Sequence, residues 1–182
     1  MKTTRKENKR YFENYIAKKN NENPFIIPTQ GIDSGAYGKS FESTIKYLFG
    51  NTNGKTVSAQ NTTDTVIKIN GKKTRIEIKT GGGVIVNANG KNCLDKCDYF
   101  IYCPRYNPNE NINTQCIVYN ANEIKAFLFN PLNKCLRTKR TTNGKTVISI
   151  VSSKQAFERV FYADIDYLSL FDFMELFDKN KK

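Results

Sequence analysis

The chain contains no histidine and no tryptophan among its 182 residues. Without histidine there is no Ser-His-Asp or Cys-His catalysis, no imidazole general base and no His-ligated metal. Cysteine is sparse and odd in number: Cys93, Cys97, Cys103, Cys116 and Cys135. An odd count without a leader argues against a disulfide framework. Cys93 and Cys97 have no second close pair to complete a zinc ribbon, so all five are expected to be reduced structural thiols. No run approaches the roughly 18 uncharged apolar residues of a membrane span. The opening MKTTRKENKR has none of the apolar character of a secretory signal. The expected setting is the cytoplasm, with no membrane partner. Acidic residues are also few, 17 against 29 Lys plus Arg, which leaves a formal charge of +12.

What is present describes a globular chain. At 38% hydrophobic and 12% aromatic residues, bulk disorder, collagen and coiled coil are excluded. The length suits one domain, or one domain with an appendage. A charge this far from zero speaks about partners, and both nucleic acid and an anionic membrane are basic-protein ligands. The best amphipathic stretch, residues 7–19, sets Tyr11, Phe12, Tyr15 and Ile16 opposite its charges. That is a core-facing stripe rather than a membrane-binding face, so nucleic acid is the expected partner, and a merely soluble basic protein is the plainer alternative. The 22 Asn and 22 Lys point to an AT-rich coding genome.

Periodicity predicts a helix over 7–19, a loop with Pro24 and Pro28 over 20–35, and a helix over 38–49 carrying Phe41, Ile45, Leu48 and Phe49. The period then changes to two. Asn-Gly pairs at 53–54, 70–71, 89–90 and 143–144 mark turns, since both residues tolerate positive φ. Strands are expected at 55–60, 64–69, 72–80, 84–88, 98–103 and 115–119. Asn120 with Glu123 resembles a capping box and opens a helix to Phe129. A hairpin is expected from 135–142 and 145–151, and helices at 153–161 and 163–178. Together these form one α/β domain on a mixed sheet, with a core over about 38–129, a basic hairpin over about 134–151 and C-terminal helices over about 153–178.

The segment from Asp64 to Lys79 carries the chemistry. With Asn70-Gly71 as a two-residue turn, Ile69 pairs with Lys72, Val66 faces Arg75 and Asp64 faces Glu77. Alternation then puts Asp64, Val66, Lys68, Arg75, Glu77 and Lys79 on one face, and Thr65, Ile67, Ile69, Ile76 and Ile78 on the core face. Two directly opposed carboxylates are destabilising unless a cation lies between them. Hard oxygen ligands of this kind suit Mg²⁺ or Mn²⁺, with the Ile78 carbonyl as a further ligand. Lys79 would orient or deprotonate an attacking water and stabilise the charge that develops on phosphorus. The plainer alternative is a solvated strand face with Asp64 paired to Lys79 or Arg75.

This arrangement resembles the PD-(D/E)XK nuclease superfamily. Glu77-Ile78-Lys79 matches its Glu-x-Lys element and Asp64 its upstream Asp, although Thr63 stands where a Pro is frequent. Gly38-Lys39-Ser40-Phe41-Glu42 matches its Gly-x-x-x-Glu pattern, and Asp98–Tyr102 its buried strand. The resemblance spans residues 38–103 in order. It implies a restriction-endonuclease-like core, a mixed β-sheet with an antiparallel catalytic hairpin flanked by helices. It also implies a divalent-metal-dependent DNA endonuclease that nicks duplex DNA, so that double-stranded DNA is the expected partner, with Asp64, Glu77 and Lys79 catalytic. Glu42, Asp64, Glu77 and Ile78 would hold Mg²⁺ or Mn²⁺. A non-catalytic DNA-binding or protein-inhibitor module on a degenerate nuclease fold is the alternative.

Lys68 and Arg75 are candidate DNA contacts beside this site. Arg137, Lys139, Arg140 and Lys145 belong to a stretch from Lys134 to Lys154 that has no acidic residue. As a hairpin it would serve as an arm for phosphate contacts, or else as a solvated edge whose charges block aggregation. Gly35–Ser40 fails as a P-loop, because Asp33 occupies the position of the first glycine. Gly81-Gly82-Gly83 reads as a close approach for a DNA backbone or as a flexible bend. The apolar set of the last helix is wider than one stripe: it is expected to pack on the sheet, with the surplus available for a homodimer or partner surface. In size, basicity and composition the whole chain also resembles type II-A anti-CRISPR proteins of Firmicutes phages and mobile elements. That resemblance implies a bacterial host cell and inhibition of the type II CRISPR effector nuclease.

Overall fold

Asn70 and Gly71 adopt φ of 50° and 74°. Both values are positive, as a two-residue hairpin turn with the twist of its flanking strands requires. They join β1 (Thr65–Ile69) to β2 (Lys72–Thr80) in the expected register, Ile69 opposite Lys72 and Val66 opposite Arg75. The structure, a computed structural model, describes residues 63–104, 106 and 112–178, together with Gly38, Phe41, Glu42, Thr44, Ile45, Lys46, Leu48 and Phe49. The helix expected at 7–19, the loop at 20–35 and the strand at 55–60 lie outside the described residues.

The other strands are β3 (Val84–Val86), β4 (Tyr99–Cys103), β5 (Ile117–Asn120), β6 (Leu136–Arg140), β7 (Thr146–Ile150) and β8 (Tyr167–Leu168). They form two sheets rather than one. Five strands in the order β1-β2-β4-β5-β8 make a mixed sheet in which only β2 and β4 run parallel. The order β3-β7-β6 makes an antiparallel sheet of three. The architecture is therefore mixed α/β. Helix α1 comprises the described residues of 38–48, followed by α2 (Ile112–Gln115), α3 (Ala121–Phe129), α4 (Lys154–Phe161) and α5 (Leu170–Asp178).

Each face of the five-stranded sheet has its own core. Ile76, Ile78, Ile101 and Val118 meet Phe41 and Ile45 of α1 and Leu170, Phe173 and Met174 of α5. On the opposite face Phe100, Tyr102, Ile117 and Tyr119 meet Ile124 and Leu128 of α3, Ile85 and Ile150 of the smaller sheet, and Val160 of α4. Central β4 is buried from Phe100 to Cys103 because both faces are covered. Asn120 caps α3 as the sequence implied, its side chain accepting from the N–H groups of Asn122 and Glu123.

Several expectations are corrected. The helix expected at 163–178 begins only at Leu170, where Ser169 Oγ accepts the Asp172 N–H at 3.0 Å as an N-cap. The residues before it place Tyr167 and Leu168 on the sheet edge against Val118 and Tyr119. The strand expected from 115 starts at Ile117, after the short helix α2. Asn143-Gly144 lies in a five-residue loop between Arg140 and Thr146, with only Gly144 at positive φ. The expected basic hairpin forms as β6–β7, with β7 paired to β3, with Cys135, Leu136 and Ile150 in the core, and with β6 as an exposed edge. The wide apolar set of α5 is consumed within the chain: Phe173 and Phe177 pack edge-on against Phe49, and Phe171 and Leu176 lie against the same core. That removes the observation from which a homodimer through this helix was inferred.

Candidate active site

Asp64 sits one residue before β1, one register step beyond the Thr65–Ile76 pair, and so comes opposite Glu77. Ile78 extends past the last paired residue of β1. Asp64 Oδ2 accepts the Ile78 N–H at 2.8 Å, so a carboxylate takes over where the strand stops. Glu77 and Lys79 are in register with Phe100 and Tyr102 of β4 and point to their side of the sheet. Glu77 is only 5% exposed.

The cation between the carboxylates is Lys79. Its Nζ makes an ion pair with Glu77 Oε1 and lies 3.8 Å from Asp64 Oδ2. Burial pushes the Glu77 carboxyl up from its ordinary value, the Lys79 charge pulls it back, and the Asp64 and Glu42 charges add to the rise. Burial works against the charge of Lys79, but Glu77 and Asp64 outweigh it and hold the ammonium well above its usual range. In this arrangement Lys79 is a positive charge held between the two carboxylates.

Two glycines set the position of that lysine. Gly81 N–H donates to Cys103 O at 2.9 Å and extends the β2–β4 ladder, while Gly83 N–H closes a turn onto Thr80 O. At Gly83 an added Cβ would fall 3.0 Å from Lys79 Cδ and 3.3 Å from its Cβ. At Gly82 it would fall 2.3 Å from Ser152 Oγ and 3.2 Å from Ile150 O. The triplet is a tied turn rather than a loose bend. It turns the chain from one sheet into the other and leaves room for the lysine stem.

Helix α1 brings Glu42 within electrostatic reach of Glu77, with Gly38 packed against Thr80. The Glu42 carboxylate is engaged by Lys46 one turn on. Among the described residues no group of three or more Cys, Asp or Glu side chains converges as a metal cage. Arg75 and Lys68 are exposed on the site's own face. Arg75 is oriented by Asp98, whose Oδ2 accepts the Arg75 N–H at 2.7 Å and the Nε–H at 3.4 Å. Burial opposes the Asp98 charge, but these Arg75 contacts hold its carboxyl below the usual range. Arg137, Lys139 and Arg140 lie on β6, the exposed edge of the smaller sheet, and Lys145 on the loop beside it.

Two residues near Glu77 were not singled out from the sequence as site residues. Burial first, and then the Glu77 charge, push the Cys93 thiol far up and that of Cys97 to about 12. Both belong to the turn of 3-10 helix at 93–95 and its exit, where Leu94 is buried in the core. All five cysteines are free, in line with their reading as structural thiols. The described residues include no helix long and apolar enough to cross a membrane. Comparison with protein-family models, curated proteins and solved structures finds no match for the chain.

Proposed function

We propose that this protein is a divalent-metal-dependent phosphodiesterase that nicks duplex DNA, on a restriction-endonuclease-like core. The observation that carries this reading is the cross-strand meeting of Asp64 with Glu77, and of both with Lys79. The element order supports it: α1, the β1–β2 hairpin, then β4 parallel to β2. Mg²⁺ usually takes one or two carboxylates and keeps several waters, so two facing carboxylates fit it without a third. Asp64 and Glu77 would hold the ion. The N–H and C=O of one strand residue share an edge, so the Ile78 carbonyl faces the side where Asp64 sits. Glu42 lies behind them, within charge range. A bound Mg²⁺ or Mn²⁺ would supply Lewis acidity and lower the pKa of a water.

The chain's own residues do the rest. Asp64 is fixed by the Ile78 N–H, so its carboxylate is set before any ligand arrives. Lys79, held charged, stabilises the negative charge that builds on the phosphoryl oxygens. Burial of Glu77 strengthens both interactions by lowering the local dielectric.

The test is conversion of supercoiled plasmid with Mg²⁺ or Mn²⁺. Open circle formed by the wild type and lost in Glu77→Ala and Lys79→Ala is the expected result. No conversion, with all three proteins retarding DNA equally, would overturn catalysis. The alternative of a binding or protein-inhibitor module has one observation in its favour, that Lys79 already neutralises the carboxylates. It predicts capture of a type II CRISPR effector nuclease by all three proteins.

A further inference from the structure

We infer that the exposed face of the β1–β2 hairpin is a track for one phosphodiester backbone, leading from the Asn70-Gly71 turn into the Asp64–Glu77 site. The register places Lys68 opposite Lys73 and Val66 opposite Arg75, all on the face that carries Glu77 and Lys79. Lys68, Lys73 and Arg75 are exposed, whereas Glu77 is buried. Along β2 the sequence Lys73, Arg75, Glu77, Lys79 therefore runs from open surface to closed site in steps of about 7 Å.

Lys68 and Lys73 are the second observation. Like charges directly opposite one another in a sheet are destabilising. Neither lysine makes an ion pair with a described residue, although Arg75 beside them has Asp98. An anion lying between the two relieves that repulsion, and no described carboxylate does so. Among the described residues of β1 and β2 the other side chain on this stretch of the face is Val66, and the Asp98 carboxylate lies against Arg75. With no aromatic or amide side chain among Val66, Lys68, Lys73 and Arg75 to stack on or read a base, the track grips phosphates and is indifferent to sequence. It holds the backbone at the site's entrance, separate from the cations of β6 on the smaller sheet.

Only the direction of the track toward a scissile phosphate rests on the phosphodiesterase reading; the grip on the backbone does not. The experiment is fluorescence polarisation with a labelled single strand and the matching duplex, in EDTA, over a salt series. Lys68→Ala/Lys73→Ala is compared with Lys68→Arg/Lys73→Arg and with wild type. Two lost phosphate contacts reduce the slope of log K against log salt by about 1.4 on the single strand or about 1.8 on the duplex. The arginine pair keeps the slope, and the strand type that shows the loss is the ligand. An unchanged slope on both probes, or no binding by wild type, overturns the track. Plasmid nicking is scored separately. A protein that binds through the hairpin but never cuts loses the nuclease reading alone. One that cuts with its slope unchanged in the alanine pair loses the track alone.

Discussion

Replacing Lys79 by methionine keeps the stem that packs on Gly83 and removes the ammonium. Glu77 and Asp64 are then left facing each other with no cation. Breaking a buried ion pair by removing one partner costs roughly 3–5 kcal/mol. The side chains of Lys79 and Asp64 are each 21% exposed, so water recovers part of this. The expected loss is about 1–3 kcal/mol at pH 8, or about 3–10 °C in Tm for a domain of this size. The pH dependence has a definite sign. The folded pKa of Glu77 is already raised and rises further without the lysine. A carboxyl raised on folding binds its proton more tightly in the native state, so the deficit is full above that folded value. It shrinks as pH falls through it. In the wild type the raised Lys79 value keeps the pair intact until strongly alkaline pH, because its contribution is lost only as pH climbs through the folded value. A divalent ion should substitute for the missing charge. Mn²⁺ should stabilise Lys79→Met by about 2.7 kcal/mol at a hundredfold excess over its Kd, and wild type by less. Urea melts from pH 5 to 8, with and without Mn²⁺, give both readings. A variant as stable as wild type throughout, or equal Mn²⁺ shifts in the two proteins, would refute the assignment of Lys79 as the site's resident cation.

Three further outcomes are expected. Gly83→Ala should reduce plasmid nicking at least tenfold while far-UV circular dichroism stays native, because its Cβ displaces the Lys79 stem. Tyr119→Phe should cost about 1–3 kcal/mol in a denaturant melt, since the buried hydroxyl donates to Val160 O at 2.7 Å and sits 3.0 Å from Phe161 O. Cys97, its thiol pushed up to about 12, should resist alkylation at pH 8 in the folded protein and react at once in urea.

The hairpin was legible in the sequence because everything that fixes it is local. Asn70-Gly71 sets the turn, the turn sets the register, and the register carries Asp64 to Glu77 with no knowledge of the rest of the chain. Asn120 was legible for the same reason, as its capping bonds reach only two and three residues ahead. What escaped depends on distant contacts. Ser169 opens a helix three residues before Asp172, but the strand before it exists only because β5 offers an edge. The division into two sheets follows from β3 pairing with β7, some sixty residues away. Cys93 carries no motif that points to Glu77. Gly83 had a visible signal, three consecutive glycines, whose meaning depends on a lysine stem that folds back over it.

The glycine junction also sets a timetable. The Gly83 carbonyl is held by the Ile150 N–H, donated at 3.0 Å by a residue 67 positions later. A ribosome adding about 5–20 residues per second exposes the hairpin roughly 3–13 s before it exposes that donor. During this interval the nascent chain holds Asp64 and Glu77, but not the anchor that pins the turn under Lys79. On the proposed function, the full geometry of the site would therefore be gained only once Ile150 has left the ribosome.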